Sequence, residues 1–102
     1  MTDKPPGKDP EGRPKIRMTF AEGQIQGNYA NLAMAGHSTT EFVLDFAFVP
    51  PGLPEARVLS RILMNPAIAK RFSRALVENL RRYEDRFGEI DISLGGPEPT
   101  LH

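Results

Sequence analysis

The stretch TEFVLDFAFVP, residues 40–50, decides the fold of this chain. Large apolar residues occupy every second position from Phe42 to Phe48, and this period of two is typical of a β-strand with one face in the core. Asp45 interrupts the opposite face, which is otherwise apolar. Two prolines at 50 and 51 end the run, because proline cannot donate a hydrogen bond to a sheet. The predicted core face consists of Phe42, Leu44, Phe46 and Phe48.

Two further segments are predicted to be strands that flank this one. The first, NYANLAMAGHS (28–38), has apolar residues at even positions and alanines between them. The second, ARVLSRILMN (56–65), carries large apolar residues on both faces. Strict alternation predicts that Val58 shares a face with Ser60 and Ile62, whereas Arg57 shares the other face with Arg61. Residues 18–27 and EIDI (89–92) are weaker strand candidates. The alternative for EIDI is an arm that grips a partner.

The segment from Asn65 to Gly88 has the clearest helical pattern in the sequence. Asn65 is a good N-cap, Pro66 suits the first helical position, and Gly88 suits a C-terminal cap. Between them an apolar stripe recurs every three or four residues. Strands followed by a helix predict an α+β fold: an antiparallel meander of three to four strands followed by one long amphipathic helix that covers one face. The stripe comprises Ile68, Phe72, Leu76, Leu80, Tyr83 and Phe87.

The length of 102 residues, without cysteine, leaves little material for a core. Residues 1–15, rich in proline, glycine and charge, are predicted to be a disordered arm, and 93–102 a flexible tail. The remaining domain, 16–92, is small enough to be marginal alone. Because one helix covers only one face of the sheet, we expect a homo-oligomer, most simply a dimer, that forms through the other face or through a sheet edge.

No segment has the roughly 20 apolar residues of a membrane span, and no signal peptide opens the sequence. We therefore expect a soluble cytoplasmic protein. Metal ligation is disfavoured, because the two histidines are far apart in sequence and cysteine is absent. No phosphate-binding glycine motif occurs either. No cofactor is expected.

The stretch GHSTTE (36–41) places a histidine, a serine and an acid close together. A catalytic triad requires such groups to converge in space, which adjacent residues on a strand do not do. Gly36 and the small hydroxyl residues suit a tight turn between strands. We therefore predict a turn, and keep catalysis by His37 and Ser38, or by His37 with Asp45, as the less favoured alternative.

Asp45 is unusual because it lies in the middle of the strongest strand. A buried carboxylate needs a cationic partner. Arg61 on the neighbouring strand is the first candidate and Arg57 the second. We interpret His37, Ser38, Asp45 and Arg61 as a polar network or interface.

Charge is distributed unevenly, although the formal net charge is zero. Residues 57–86 contain eight basic and three acidic side chains, whereas residues 20–56 contain four acidic and no basic ones. Clustered cations can bind a polyanion such as a nucleic acid. Interleaved acids and the lack of spare aromatic residues argue for an ordinary solvated face instead. The candidate polyanion contacts are Arg57, Arg71, Arg74, Arg81 and Arg82.

Short motifs occur across residues 28–90: Tyr29-Ala30-Asn31, His37-Ser38, Glu41-Phe42, Asp45-Phe46, Ser60-Arg61, Pro66, Ala69-Lys70, Tyr83-Glu84 and Phe87-Gly88. In combination they resemble a family of small prokaryotic proteins catalogued only as a domain of unknown function. The resemblance implies a prokaryotic cytosolic protein and transfers no activity, cofactor or site. We therefore predict a small non-enzymatic oligomeric module that binds itself or an unidentified protein partner. A nucleic-acid-binding accessory protein is the alternative, and an enzyme is third.

Overall fold

A computed structural model describes residues 7–94 as a three-stranded sheet followed by one helix. The strands pair antiparallel in the order β1-β2-β3, so the predicted α+β meander is confirmed. The connection between the sheet and the helix is a single residue, Asn65. The elements are β1 (Leu32–His37), β2 (Phe42–Phe48), β3 (Arg57–Met64), α1 (Pro66–Phe87) and a short 3₁₀ helix, Ile92–Leu94.

The two weaker strand candidates are not strands. Within residues 18–27, the amides of Gln24 and Gly27 donate to the carbonyls of Ala21 and Gln24, which bends the chain into turns. Gly23 and Gly27 both adopt positive φ, the left-handed region that glycine enters at no steric cost. The EIDI segment is irregular until the 3₁₀ helix begins at Ile92.

A β-bulge in β3 changes which residues share a face. Phe46 pairs with Ser60, but Ala47 pairs with Val58, so Leu59 is an extra residue without a counterpart on β2. The bulge places Val58 on the face of Asp45 and Ala47, whereas Arg57 pairs with Phe48 on the aromatic face. The faces predicted for Val58 and Arg57 by strict alternation were therefore wrong.

Asn31 extends the pairing between β1 and β2 beyond the end of β1. Its side-chain amide donates to the carbonyl of Val49 at 2.8 Å and accepts from the amide of the same residue at 2.8 Å. Its own backbone amide donates to the carbonyl of Ala47 at 3.0 Å. The side chain thus does what a further backbone unit of β1 would do, and it closes the open end of the hairpin.

Local caps fix both ends of α1. The Asn65 side chain accepts a hydrogen bond from the amide of Ile68 at 2.8 Å, as an N-cap does. At the other end Gly88 has a φ of 95° and donates to the carbonyl of Glu84 at 2.9 Å. The Glu84 carboxylate also accepts from the amide of Ile90 at 2.9 Å, which holds the chain after the helix.

The apolar residues form only a thin core. Among residues 7–94, Ala47 is the one apolar residue that is fully buried, and the predicted core face of β2 is half-buried. The Cα radius of gyration is 17.4 Å, compared with about 13 Å for a compact domain of 100 residues. The side chains of the α1 stripe are 42–64% exposed, so the expectation that α1 buries this stripe on the sheet was wrong for the isolated chain.

Part of the predicted N-terminal arm has local structure. Residues 7–15 form a small hairpin, in which the amide of Lys15 donates to the carbonyl of Gly7 and Asp9 pairs with Arg13. The expected disorder of residues 1–6, and the expected flexibility of 95–102, lie outside the described residues and stay predictions.

Candidate functional site

The Asp45 carboxylate lies at the centre of the sheet, directly between Met34 on β1 and Arg61 on β3. Arg61 donates to it through Nε at 2.8 Å and through Nη2 at 3.0 Å. This is the two-pronged geometry that makes arginine–carboxylate pairs strong and directional. The partner that we predicted first for Asp45 is therefore present, whereas Arg57 lies on the other face because of the bulge.

The two members of this pair differ greatly in exposure. The side chain of Asp45 is 5% exposed and that of Arg61 is 65% exposed. Burial of a carboxylate is costly unless it is paired, and Arg61 reaches it from the solvent side. The hydrogen bonds from Arg61 to Asp45, and then the attraction between their charges, raise the pKa of Arg61 above its ordinary value. Arg61 therefore remains a cation, and its outer edge faces solvent.

Residues 38–41 form the predicted turn between β1 and β2. Ser38 closes it, since its hydroxyl oxygen accepts from the amides of Thr40 and Glu41, both at 3.2 Å. The amide of Ser38 also donates to the carbonyl of Glu41 at 2.9 Å. The Ser38 hydroxyl group therefore stabilises the turn.

The ring of His37 packs against Phe42, with 5.5 Å between the ring centroids. His37 pairs with Phe42 across the hairpin, and the alternation of β2 places Phe42 and Asp45 on opposite faces. This stacking holds the imidazole on the Phe42 side of the sheet. Such an arrangement suits hairpin packing better than proton transfer to Asp45.

All four residues of the predicted polar network line one shallow depression of about 340 Å³, although the ring of His37 packs against Phe42 and not towards Asp45. The depression lies at the turn end of the sheet, and both members of the Asp45–Arg61 pair are among its lining residues. Its full lining consists of Gly36, His37, Ser38, Glu41, Val43, Asp45 and Arg61.

The arginines proposed to contact a polyanion are not all available. Arg81 forms ion pairs with Glu78 and Asp85, and Arg82 forms one with Glu78. The hydrogen bond from Arg81 is the main cause that lowers the pKa of Glu78, so Glu78 stays anionic in the middle of this surface. Arg71 and Arg74 lie one to two helical turns before Glu78, and both are exposed.

The feature that the sequence reasoning missed is the exposure of the helix stripe. Its six side chains remain 42–64% exposed. A cleft of about 510 Å³ separates the first half of α1 from the sheet, and Phe42 and Leu44 line its sheet side. The stripe comprises Ile68 (43%), Phe72 (42%), Leu76 (47%), Leu80 (42%), Tyr83 (51%) and Phe87 (64%).

Helix length was the available signal for this exposure. The 22 residues of α1 span about 33 Å, whereas strands of six to eight residues span about 20–27 Å. A helix that starts one residue after a shorter strand must extend past the sheet. The excess length is about 6–13 Å, so the last one to two turns of α1 extend beyond the sheet of its own chain.

Other site types find little support within residues 7–94. No three side chains of histidine, cysteine, aspartate or glutamate come together there in a way that could hold a metal ion. No helix in the described part of the chain is both long and apolar enough to span a membrane.

Comparison with known proteins gives a family but no relative of established activity. No curated protein and no solved structure matches the chain. The sequence model of a family described as "Protein of unknown function (DUF3467)" matches residues 1–92. The match covers most of the chain, including both hairpin strands, the Asp45–Arg61 pair and all of α1, and so the protein belongs to this family.

Proposed function

We propose that this protein is a non-enzymatic module that works as a homo-oligomer, most simply a dimer, and binds a protein partner through the assembled surface. One observation carries the proposal: the six apolar side chains of the α1 stripe are half exposed, while Ala47 is the one fully buried apolar residue among residues 7–94. Large apolar surfaces of this kind mark interaction sites in soluble proteins.

The exposed area is of the size that a stable dimer needs. Large apolar side chains have roughly 200 Å² to bury, so six half-exposed ones offer about 600 Å². A standard-size interface buries about 800 Å² on each partner. On β3, Ile62 is 43% exposed and pairs with Leu44 on the sheet face that lines the cleft beside α1, so it extends this surface.

A second copy is the occupant that best fits the charge of the chain. The formal net charge is zero, so two copies do not repel each other over long distances. The chain also has no cysteine with which to stabilise a small core by disulfides. Association between copies supplies the buried area that the single chain lacks, as expected for a domain of this size.

A nucleic-acid-binding accessory protein is the second candidate. It is favoured by the exposed Arg71 and Arg74 at one end of α1. It is opposed by the ion pairs of Arg81 and Arg82 with Glu78, which neutralise the middle of the same surface. Phosphate contacts need cations that are free to meet the backbone of the nucleic acid.

We also propose that the module works in the cytoplasm of a prokaryote; the resemblance to a family of small prokaryotic proteins supports this location. Cell fractionation with an antibody against the native protein tests it. Recovery in the soluble cytoplasmic fraction is the expected outcome, and recovery with membranes or in the medium would contradict it.

Size-exclusion chromatography with light scattering, read at 260 and 280 nm in low salt, tests the proposed function. The full chain should elute as a dimer or a higher oligomer of defined mass, without excess absorbance at 260 nm. A Leu80→Asp variant places a charge on the stripe and should shift the mass towards the monomer. Val77→Asp adds the same charge off the stripe and is the matched control.

Two results would contradict this proposal. A monodisperse wild-type monomer would remove the interface. Excess absorbance at 260 nm that disappears in high salt would favour the nucleic-acid alternative, because such binding weakens steeply with ionic strength.

A further inference from the structure

We infer that the two copies are joined by antiparallel pairing of α1 with α1, the helices meeting near Leu76 and Leu80. This inference rests on the proposed self-association and specifies its surface. Three features of the described residues carry it: the asymmetry of α1, the one-residue connection to the sheet and the position of the stripe's centre.

The two halves of α1 differ in what surrounds them. The first half lines the cleft of about 510 Å³ with Phe72 and Leu76, opposite Phe42 and Leu44 of β2. This half has an apolar cavity that a bulky group can fill.

The second half of α1 has the opposite character. Leu80 and Tyr83, with Ile90, line an open groove, and the rings of Tyr83 and Phe87 contact each other with 4.9 Å between centroids. Tyr83 and Phe87 are 51% and 64% exposed. This half therefore presents bulky aromatic groups that have no sheet beneath them.

Two-fold symmetry joins these complementary halves if the helices run antiparallel. In a two-fold interface, residue i contacts residue j of the partner and residue j contacts residue i. An antiparallel pair places the Tyr83–Phe87 half of each helix beside the Ile68–Leu76 half of the other. The stripe from Ile68 to Phe87 is about 28 Å long, and its centre lies between Leu76 and Leu80.

A parallel pair is disfavoured by the connection between sheet and helix. Because only Asn65 separates β3 from α1, each sheet is fixed at the N-terminal end of its helix. A parallel pair would crowd two sheets at one end and leave both aromatic ends without a sheet. The antiparallel pair separates the sheets and also aligns the helix dipoles favourably.

Engineered cysteines test this arrangement, because the native chain has none. Leu76→Cys and Leu80→Cys lie near the two-fold axis, and Val77→Cys lies off the stripe. A disulfide requires Cα atoms about 4.4–6.8 Å apart. Under a mild oxidant, at least one of the two stripe variants should form a disulfide-linked dimer at least about tenfold faster than Val77→Cys.

A mixing experiment tests the direction of the helices. Ile68→Cys and Phe87→Cys lie at opposite ends of the stripe, so an antiparallel pair joins one to the other. Refolded mixtures should yield the disulfide between the two variants in preference to either disulfide between identical variants. Circular dichroism checks that each variant keeps its helix.

The outcomes separate this inference from the proposed function. If the wild type is a dimer by light scattering but both stripe variants crosslink no faster than Val77→Cys, the pairing of α1 with α1 is wrong and self-association stands. If Ile68→Cys crosslinks chiefly to itself, the helices run parallel. If the wild type is a monomer, both proposals fail.

Discussion

Replacement of Leu76 by alanine gives the most direct energetic test of the exposed stripe. Alanine is the best helix former, so Leu76→Ala removes contact surface without weakening α1 itself. Val77→Ala removes apolar surface at the next position, where the side chain is 64% exposed and lies off the stripe. The two variants therefore separate interface packing from helix propensity.

The expected change in the dissociation constant of the dimer follows from the exposure of Leu76 in the isolated chain. Full burial of a leucine side chain contributes about 1.5–3 kcal/mol. Leu76 is 47% exposed, so covering that fraction contributes about half of this value in each protomer. A symmetric dimer contains two such sites and gains about 1.4–2.8 kcal/mol. The dissociation constant of Leu76→Ala should therefore rise about 10- to 100-fold.

Two measurements report this change. Analytical ultracentrifugation gives the dissociation constant, and urea unfolding at two protein concentrations gives the free energy of unfolding if the dimer is too tight to dissociate. The unfolding midpoint of a dimer should rise with concentration. If Leu76→Ala leaves the dissociation constant within about twofold of the wild type, or if Val77→Ala weakens the dimer equally, the stripe is not the interface.

Three other predictions concern the elements that hold the chain together. Asn65→Ala should lower the free energy of unfolding by about 1 kcal/mol, because the N-cap is lost; an unchanged urea midpoint would contradict that role. Arg61→Ala should lower Tm more than Arg61→Lys does, because lysine keeps the charge near Asp45 and loses the two-pronged hydrogen bond; equal Tm values at one protein concentration would refute this. The pKa of Glu78 is lowered, chiefly by its hydrogen bond from Arg81. A carboxylate with a lowered pKa stabilises the folded state at pH values above 4.5, its ordinary pKa, and this stabilisation is lost as the pH falls through the pKa of the folded state. The Tm of the wild type should therefore fall slightly more between pH 6 and pH 3 than the Tm of Glu78→Gln. Identical pH profiles would show that this ion pair contributes nothing to stability.

Several details of the sheet could be predicted from local patterns and others could not. The strand at Phe42–Phe48 follows from strict alternation, and its pairing with β3 makes Asp45 meet Arg61. The bulge at Leu59 has no comparable signal, because the apolar residues around it fit either face of the sheet. It alone decides that Val58, and not Arg57, lies on the face of Asp45.

For the polar residues near the turn, too, the sequence predicts the element but not the contacts of individual side chains. Gly36 and the hydroxyl residues predict a turn within residues 36–41. The structure keeps Gly36 in β1, and the two hydrogen bonds that Ser38 accepts in the turn depend on the geometry of the closed hairpin. Asn31 is part of a motif in the sequence, yet its role as an extension of β1 is visible only when Val49 lies opposite it.

The sequence by itself determined the elements of this protein: period-two alternation for the strands, a 3.6-residue stripe with caps at Asn65 and Gly88 for α1, and too few residues for a self-sufficient core. These features depend on short-range sterics and hydrogen bonding, which neighbouring residues dictate. Only the tertiary structure decided where α1 lies and how much of its stripe stays exposed. A hydrophobic pattern specifies that a face must be buried but not against what, because the hydrophobic effect has no direction. The one-residue connection at Asn65 and the greater length of α1 leave that face half exposed to solvent.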